Sequence, residues 1–299
     1  MTVPLTDHSK GLLLTAIGGL ALTADIPLIK LAGGDVWSIL LLRGISTLAA
    51  ALLLWVVWRA VARNAPPLIP GRAGLAVAGL YGITSLCFIS AVFYTSTANL
   101  VFIVAFSTVF AMAFSWLFLG ERPRPQTLAA MAMMIVAIAI IVQDGLTSNG
   151  WFGDLLALGA AVCVAAAIVV SRASGRDMGF TPLVAVILPM AIGGAMVYAN
   201  GLNVDAPWWI ILDGFVVIPI AFFLLATGPR YISGPEVAMF YLLETVLAPI
   251  WVWLIFAEVP STQSLIGGAL LVATLLAHSL WQISQGRRRR AAAVVRHAP

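Results

Sequence analysis

Ten runs of roughly 20 mainly apolar residues, separated by short polar turns, leave this 299-residue chain little choice of fold. They can be drawn at 10–30, 36–58, 73–93, 99–119, 126–143, 152–172, 182–199, 208–227, 236–256 and 263–283. Each is long enough to cross the hydrocarbon core of a bilayer as a helix, about 30 Å at about 1.5 Å per residue. Inside lipid the backbone must satisfy its own hydrogen bonds, so only helices and closed barrels span it, and the period-two alternation of a barrel strand is absent. The expected fold class is an all-α polytopic membrane protein with ten transmembrane helices. The third and eighth runs have the vaguest ends, which leaves nine spans as the alternative. Composition agrees: 9% of residues are charged and 62% hydrophobic, where a soluble domain carries about a quarter charged residues.

The basic residues set an orientation. With a cytoplasmic N-terminus, the inside segments hold Lys10, Arg59, Arg63, Arg72, Arg122, Arg124, Arg172, Arg176, Arg230, the run Arg287 to Arg290, and Arg296, which is 14 of the 16 Lys and Arg. Only Lys30 falls outside, and Arg43 lies within a span. The positive-inside rule therefore puts both termini in the cytoplasm, and the expected location is a bacterial inner membrane. The net charge of +4 describes sidedness, and no nucleic-acid partner is implied. The Arg287–Arg290 block follows the last span and reads as a topology anchor against anionic headgroups. Cys87 and Cys163 both fall inside predicted helices, so no disulfide framework is expected. The first run lacks a clear small-residue cleavage site and is too long for a signal sequence, so it is read as retained.

The segment around Glu121, Pro123, Gln126 and Leu128 returns 137 residues later as Glu258, Pro260, Gln263 and Leu265. In the same register Trp116 meets Trp253, Thr108 meets Thr245 and Tyr94 meets Tyr231. At the first helices, Gly11-Leu-Leu-Leu14 resembles Gly153-Asp-Leu-Leu156, and Lys30 closes one helix as Arg172 closes the other. The expected organisation is a first five-helix repeat over 1–148, a second over 149–286, and a basic cytoplasmic tail over 287–299. Five is odd, so the second repeat starts on the opposite side and the duplication becomes an inverted-topology repeat. Internal repeats of this kind point to a transporter with its substrate site where the halves meet. The motif is not perfectly repeated: Ala257 stands where Gly120 does.

Ten helices in two related halves, with Leu119-Gly-Glu121-Arg-Pro123 closing the fourth, resemble the EamA branch of the drug/metabolite transporter superfamily over residues 10–283. Within that branch the chain looks most like the YddG-type exporters of aromatic and other neutral amino acids. The resemblance implies helices around a central cavity lined by the first, third, fourth, sixth, eighth and ninth, working by alternating access. Export rather than import comes from the resemblance alone.

Glu244 sits near the middle of the ninth span, where an acid costs about 2.5–3.5 kcal/mol to insert. Tyr241, Glu244 and Ala248 share one helical face. Two readings stay open: a carboxylate facing a central cavity, where it binds a substrate ammonium or a proton, or a hydrogen-bonded packing residue that joins two helices. Its repeat counterpart is Ser107, so duplication does not impose the acid. Tyr81, Thr84, Ser85 and Phe88 form a polar and aromatic stripe on the third helix, and Asn99, Phe102 and Phe106, with Phe110, form one on the fourth. Two such stripes suit a pocket for apolar or aromatic side chains, although packing explains either stripe alone. Asp25 and Arg43 lie at similar depths in adjacent helices and are read as a structural ion pair, with a gate or a carboxylate-binding site as the rival. Pro27, Pro189, Pro219 and Pro249, with Gly79 and Gly82, mark hinges or fixed kinks. Ser233-Gly-Pro235-Glu236 has the spacing of a capping box. Glu121 and Glu258 read as helix-end turn residues rather than substrate ligands.

No HExxH zinc motif, Walker A loop or dinucleotide fingerprint is present, and His8, His278 and His297 are scattered, so an enzyme is not expected and no metal or cofactor is implied. The expected function is a secondary, non-ATP carrier exporting aromatic and neutral amino acids and related small metabolites. Its partners are the lipid bilayer and the substrate, with no ATPase subunit, and it works as a monomer. Export of other small metabolites or drugs is the alternative, and a channel-like facilitator is the alternative of a different class.

Overall fold

The computed structural model describes residues 7–61, 67–147, 150–227, 231, 232 and 234–296. Among these residues, ten helices are long and apolar enough to cross a membrane. They are α1 (His8–Ala32), α2 (Val36–Val61), α3 (Gly71–Tyr94), α4 (Thr97–Leu119), α5 (Pro125–Gln143), α6 (Trp151–Ser174), α7 (Thr181–Asn200), α8 (Pro207–Leu225), α9 (Met239–Phe256) and α10 (Thr262–Gln285). The described residues contain no strand. The vague third and eighth runs are both full spans, so among the described residues the count is ten rather than nine.

Several spans are not straight rods. α1 breaks at Thr23 and Ala24, and α7 at Ala185 and Val186. In each the third residue of the resumed helix is a proline, Pro27 or Pro189. A proline ring clashes with the carbonyl four residues back, here Thr23 or Ala185, which are the residues where the helix opens. Pro219 acts likewise: four residues before it lies Phe215, inside the π-helical turn Asp213–Val217. Pro249 differs, because the helix Gly234–Phe256 runs past it unbroken. So does the third helix past Gly79 and Gly82; a Cβ at Gly82 would sit 2.9 Å from the Ala185 carbonyl, so this glycine serves close approach to α7. α4 is interrupted at Phe106, where neither proline nor glycine stands.

α3 packs along α6, α1 along α8, α4 on α6 and α9 on α1, while α2 pairs with α7, α5 with α10 and α4 with α9. Ile26, Ile29, Ile39, Leu40, Ile89 and Leu100 belong to the main buried cluster. Leu53, Val56, Leu117 and Leu254, each more than half exposed, lie on the outer surface, where lipid tails solvate apolar side chains as readily as a core does.

Helix ends gather on two faces. On the first, the Asp35 N–H donates to the Asn203 carbonyl at 3.0 Å and the Ala206 N–H to Ala32 at 2.8 Å. The Thr95 hydroxyl donates to Asp154 Oδ1 at 2.5 Å on the same face. The second face holds Arg122, Arg124, Arg172 and Arg176, and Arg176 Nη1 donates to the Pro70 carbonyl at 2.9 Å. The helix carrying α10 continues to Arg296. Residues 287–296 of the basic tail are thus a helical continuation of α10.

Candidate functional site

The break in α1 makes Asp25 the first residue of the resumed helix, and Arg43 faces it from α2. Arg43 Nη2 donates to both Asp25 oxygens, at 2.8 and 2.9 Å. A third member was not anticipated: Asp213 Oδ2 lies 2.9 Å from Arg43 Nε. That contact is an ion pair, and neither Asp213 oxygen meets a donor in full hydrogen-bonding geometry. Arg43, Asp25 and Asp213 are 8%, 4% and 0% exposed. Depth counted from one face would have found the trio. Arg43 is the eighth residue of α2 and Asp213 the seventh of α8, and both helices start on the first face.

Glu244, on α9, lies close enough to Asp25 and Arg43 to feel their charges, and Tyr241 interacts with both Glu244 and Tyr81. Tyr81 of α3 thus lies near Tyr241 of α9, although α3 and α9 share little direct packing. Tyr241 keeps 40% of its surface exposed and Glu244 and Tyr81 are partly exposed. The rest of the α3 stripe is likewise partly buried. Thr84 bonds back to the Leu80 carbonyl at 2.9 Å, Phe88 packs against the main core, and Ser85 is partly buried.

The α4 stripe is buried. Asn99, Phe102 and Phe106 are 2%, 7% and 7% exposed, and Asn99 Oδ1 accepts a hydrogen bond from the Ser264 hydroxyl of α10. Phe102 packs where Gly268 of α10 leaves room for its ring. Phe106 meets Phe110 edge to face at 5.1 Å. All three are buried in packing: Asn99 and Phe102 against α10, and Phe106 against Phe110 of its own helix.

The repeated glutamates do more than end helices. On the first face, Glu258 Oε1 accepts the Thr97 backbone N–H at 2.7 Å while Oε2 pairs with the Lys30 ammonium. The ends of α1, α4 and α9 are thereby tied at one point. On the second face, Glu121 Oε1 pairs with Arg172 Nη2 at 2.8 Å, with both side chains about half exposed. Both line an open cavity of about 460 Å³, together with Met112, Ser115, Arg124, Thr127 and Trp281. The residues before the two glutamates share a left-handed backbone, φ +70° at Gly120 and +54° at Ala257. The imperfect motif thus makes the same turn twice. Glu236 lies 3.9 Å from His8; Ser233, the proposed cap, lies outside the described residues. Among the described residues no group of three His, Cys, Asp or Glu is arranged to hold a metal ion.

Comparison with known proteins places the chain. The model of the EamA-like transporter family matches it twice, over residues 9–143 and 151–280. The pseudopaline exporter CntI of Pseudomonas aeruginosa is 25% identical over 240 residues, which cover 79% of this chain and 82% of that protein. An uncharacterized transporter of Archaeoglobus fulgidus is 24% identical over 251 residues, 83% of this chain and 88% of its own length. A solved crystal structure, 18% identical, superposes with a TM-score of 0.64 over 92% of this chain and 98% of its own. That last likeness concerns the fold alone.

Proposed function

The chain belongs to the EamA-like transporter family, and from that membership we propose that it is a secondary carrier that exports aromatic and neutral amino acids and related small metabolites by alternating access. It is a membrane transporter and not an enzyme. The observation that carries the alternating-access reading is the contrast between the two faces. Glu258 ties three helix ends together on the first, whereas its repeat partner Glu121 stands half exposed beside a cavity on the second. A carrier caught open to one side has this asymmetry.

Three observations support an inverted duplication as the source of the two gates. The family matches each half separately, and its matches end 137 residues apart, at 143 and 280, as Glu121 and Glu258 are. Exchanging each helix with the one five further along carries α3–α6 onto α8–α1 and α4–α6 onto α9–α1, while α2–α7, α5–α10 and α4–α9 map onto themselves. Gly120 and Ala257 make matching turns. The basic second face is the cytoplasmic one by the positive-inside rule, with both termini on that side of the inner membrane. The carrier works as a monomer.

Substrate class rests on Tyr81, Tyr241 and Glu244. Two phenol rings and a carboxylate facing one space suit a ligand with an ammonium group and an apolar or aromatic body. A relative named as an exporter favours the outward direction. Other small metabolites are the second reading. The test is efflux from loaded proteoliposomes against a panel of amino acids, with counterflow measured in parallel. Counterflow separates a carrier from a channel, and failure to move any amino acid sinks the substrate class while leaving the carrier.

A further inference from the structure

The trio at the α1 break carries more negative charge than its arginine balances. Asp25 and Asp213 share one guanidinium, and none of the three is more than 8% exposed. An ionised carboxylate without a compensating partner is very costly in a dry interior, so a unit of positive charge is missing. The hydrogen bonding shows the same deficit from a second side. Arg43 Nη2 is spent on Asp25, and both oxygens of Asp213 are buried without a donor. The Thr47 hydroxyl, one turn along α2 from Arg43 and 1% exposed, is buried without a partner as well. It lies 2.9 Å from where a Cβ on Gly214, the residue after Asp213, would stand. Buried polar atoms in native proteins are nearly always satisfied, so orphans on neighbouring turns of α2 and α8 ask for a ligand.

We propose that Asp25, Arg43 and Asp213, with the Thr47 hydroxyl, form a binding site for one monovalent cation, a proton or a sodium ion, that is exchanged during transport. Its coupling to transport rests on the carrier reading above; the binding itself does not. The backbone suits the role. Asp25 opens the second segment of a broken helix and Asp213 opens a π-helical turn, and interruptions of both kinds recur at ion and functional sites in membrane helices. The charged groups facing Asp213 are Arg43 from α2 and Asp25 from α1, with Glu244 of α9 beyond them. Lys30, further along α1, is committed to Glu258. A substrate ammonium at Glu244 and a cation at Asp213 neutralise the same excess of negative charge. Each therefore weakens the other, which is the thermodynamic basis of exchange.

The test uses the purified full chain in detergent, without substrate. Radioactive sodium binding is measured across pH, and difference infrared spectra follow the carbonyl stretch of a protonated carboxyl. A band that disappears as pH rises, shifts in Asp213→Glu, vanishes in Asp213→Asn and persists in Glu244→Gln identifies a proton. Saturable sodium binding that protons compete away, and that is at least about tenfold weaker in Asp213→Asn, identifies sodium. Should Asp213→Asn fail to fold, the wild-type and Asp213→Glu measurements still decide. A wild-type chain showing neither the band nor sodium binding overturns the site. Amino-acid counterflow in the same preparation would show that the carrier reading survives that result.

Discussion

Glu258, at the end of α9, accepts the backbone N–H of Thr97 at the start of α4 at 2.7 Å. A carboxylate from the second half of the chain thus caps a helix of the first. The contact is favourable twice over, since the start of a helix offers unpaired donors and the positive end of its dipole. With Lys30 on its other oxygen, Glu258 joins three helix ends in one clamp.

If that clamp is the outer gate, freezing it stops transport. The double variant Lys30→Cys with Glu258→Cys, oxidised to a disulfide, is expected to lose efflux and to regain it on reduction. Cross-linked protein that transports normally would show that these ends do not part during the cycle.

Arg43 holds two acids together. Arg43→Gln leaves both buried without a cation, and breaking a buried pair by removing one partner costs about 3–5 kcal/mol. A large drop in thermal midpoint in detergent is expected. The exchange Asp25→Arg with Arg43→Asp keeps one base and two acids and should recover most of the loss.

Glu244 is expected to matter for substrate and little for folding. Glu244→Gln should lower efflux of amino acids with a free ammonium about tenfold, equivalent to about 1.4 kcal/mol, with the melting temperature near that of the wild type. An unchanged efflux accompanied by a lower melting temperature would return Glu244 to a packing role.

Ala257 adopts a backbone that L-residues avoid, at φ +54°, at a cost of roughly 1–2 kcal/mol. Ala257→Gly should therefore stabilise the protein, and Gly120→Ala destabilise it, each by about 1 kcal/mol once the entropy of the unfolded chain is included. Chemical denaturation of the two variants checks the signs.

Gly214 lets α8 touch α2 beside the trio. A Cβ there would collide with the Ser46 hydroxyl and stand 2.8 Å from the Arg43 carbonyl. Gly214→Ala should cost about 1–3 kcal/mol, read as a lower thermal midpoint.

Much of the architecture is legible along the chain. Spans drawn from apolar runs alone end within a few residues of the helices, because the length of a membrane helix is set by bilayer thickness. Asp25 and Arg43 could be matched by depth for the same reason. Pro27 and Pro189 foretell breaks four residues before them, because the clash is local. The break at Phe106 has no such marker.

Hydropathy alone determined that this chain makes ten membrane helices, and its basic residues and repeated Glu-x-Pro turns marked their ends. Only the tertiary structure decided which faces those helices turn to one another. It sent Asn99, Phe102 and Phe106 into the α4 contacts, brought Asp213 to Arg43 and set Glu258 on Thr97. In water, polarity tells an inner helix face from an outer one. In lipid both are apolar, so a phenylalanine stripe reads the same on either, and interdigitation of side chains selects the partner.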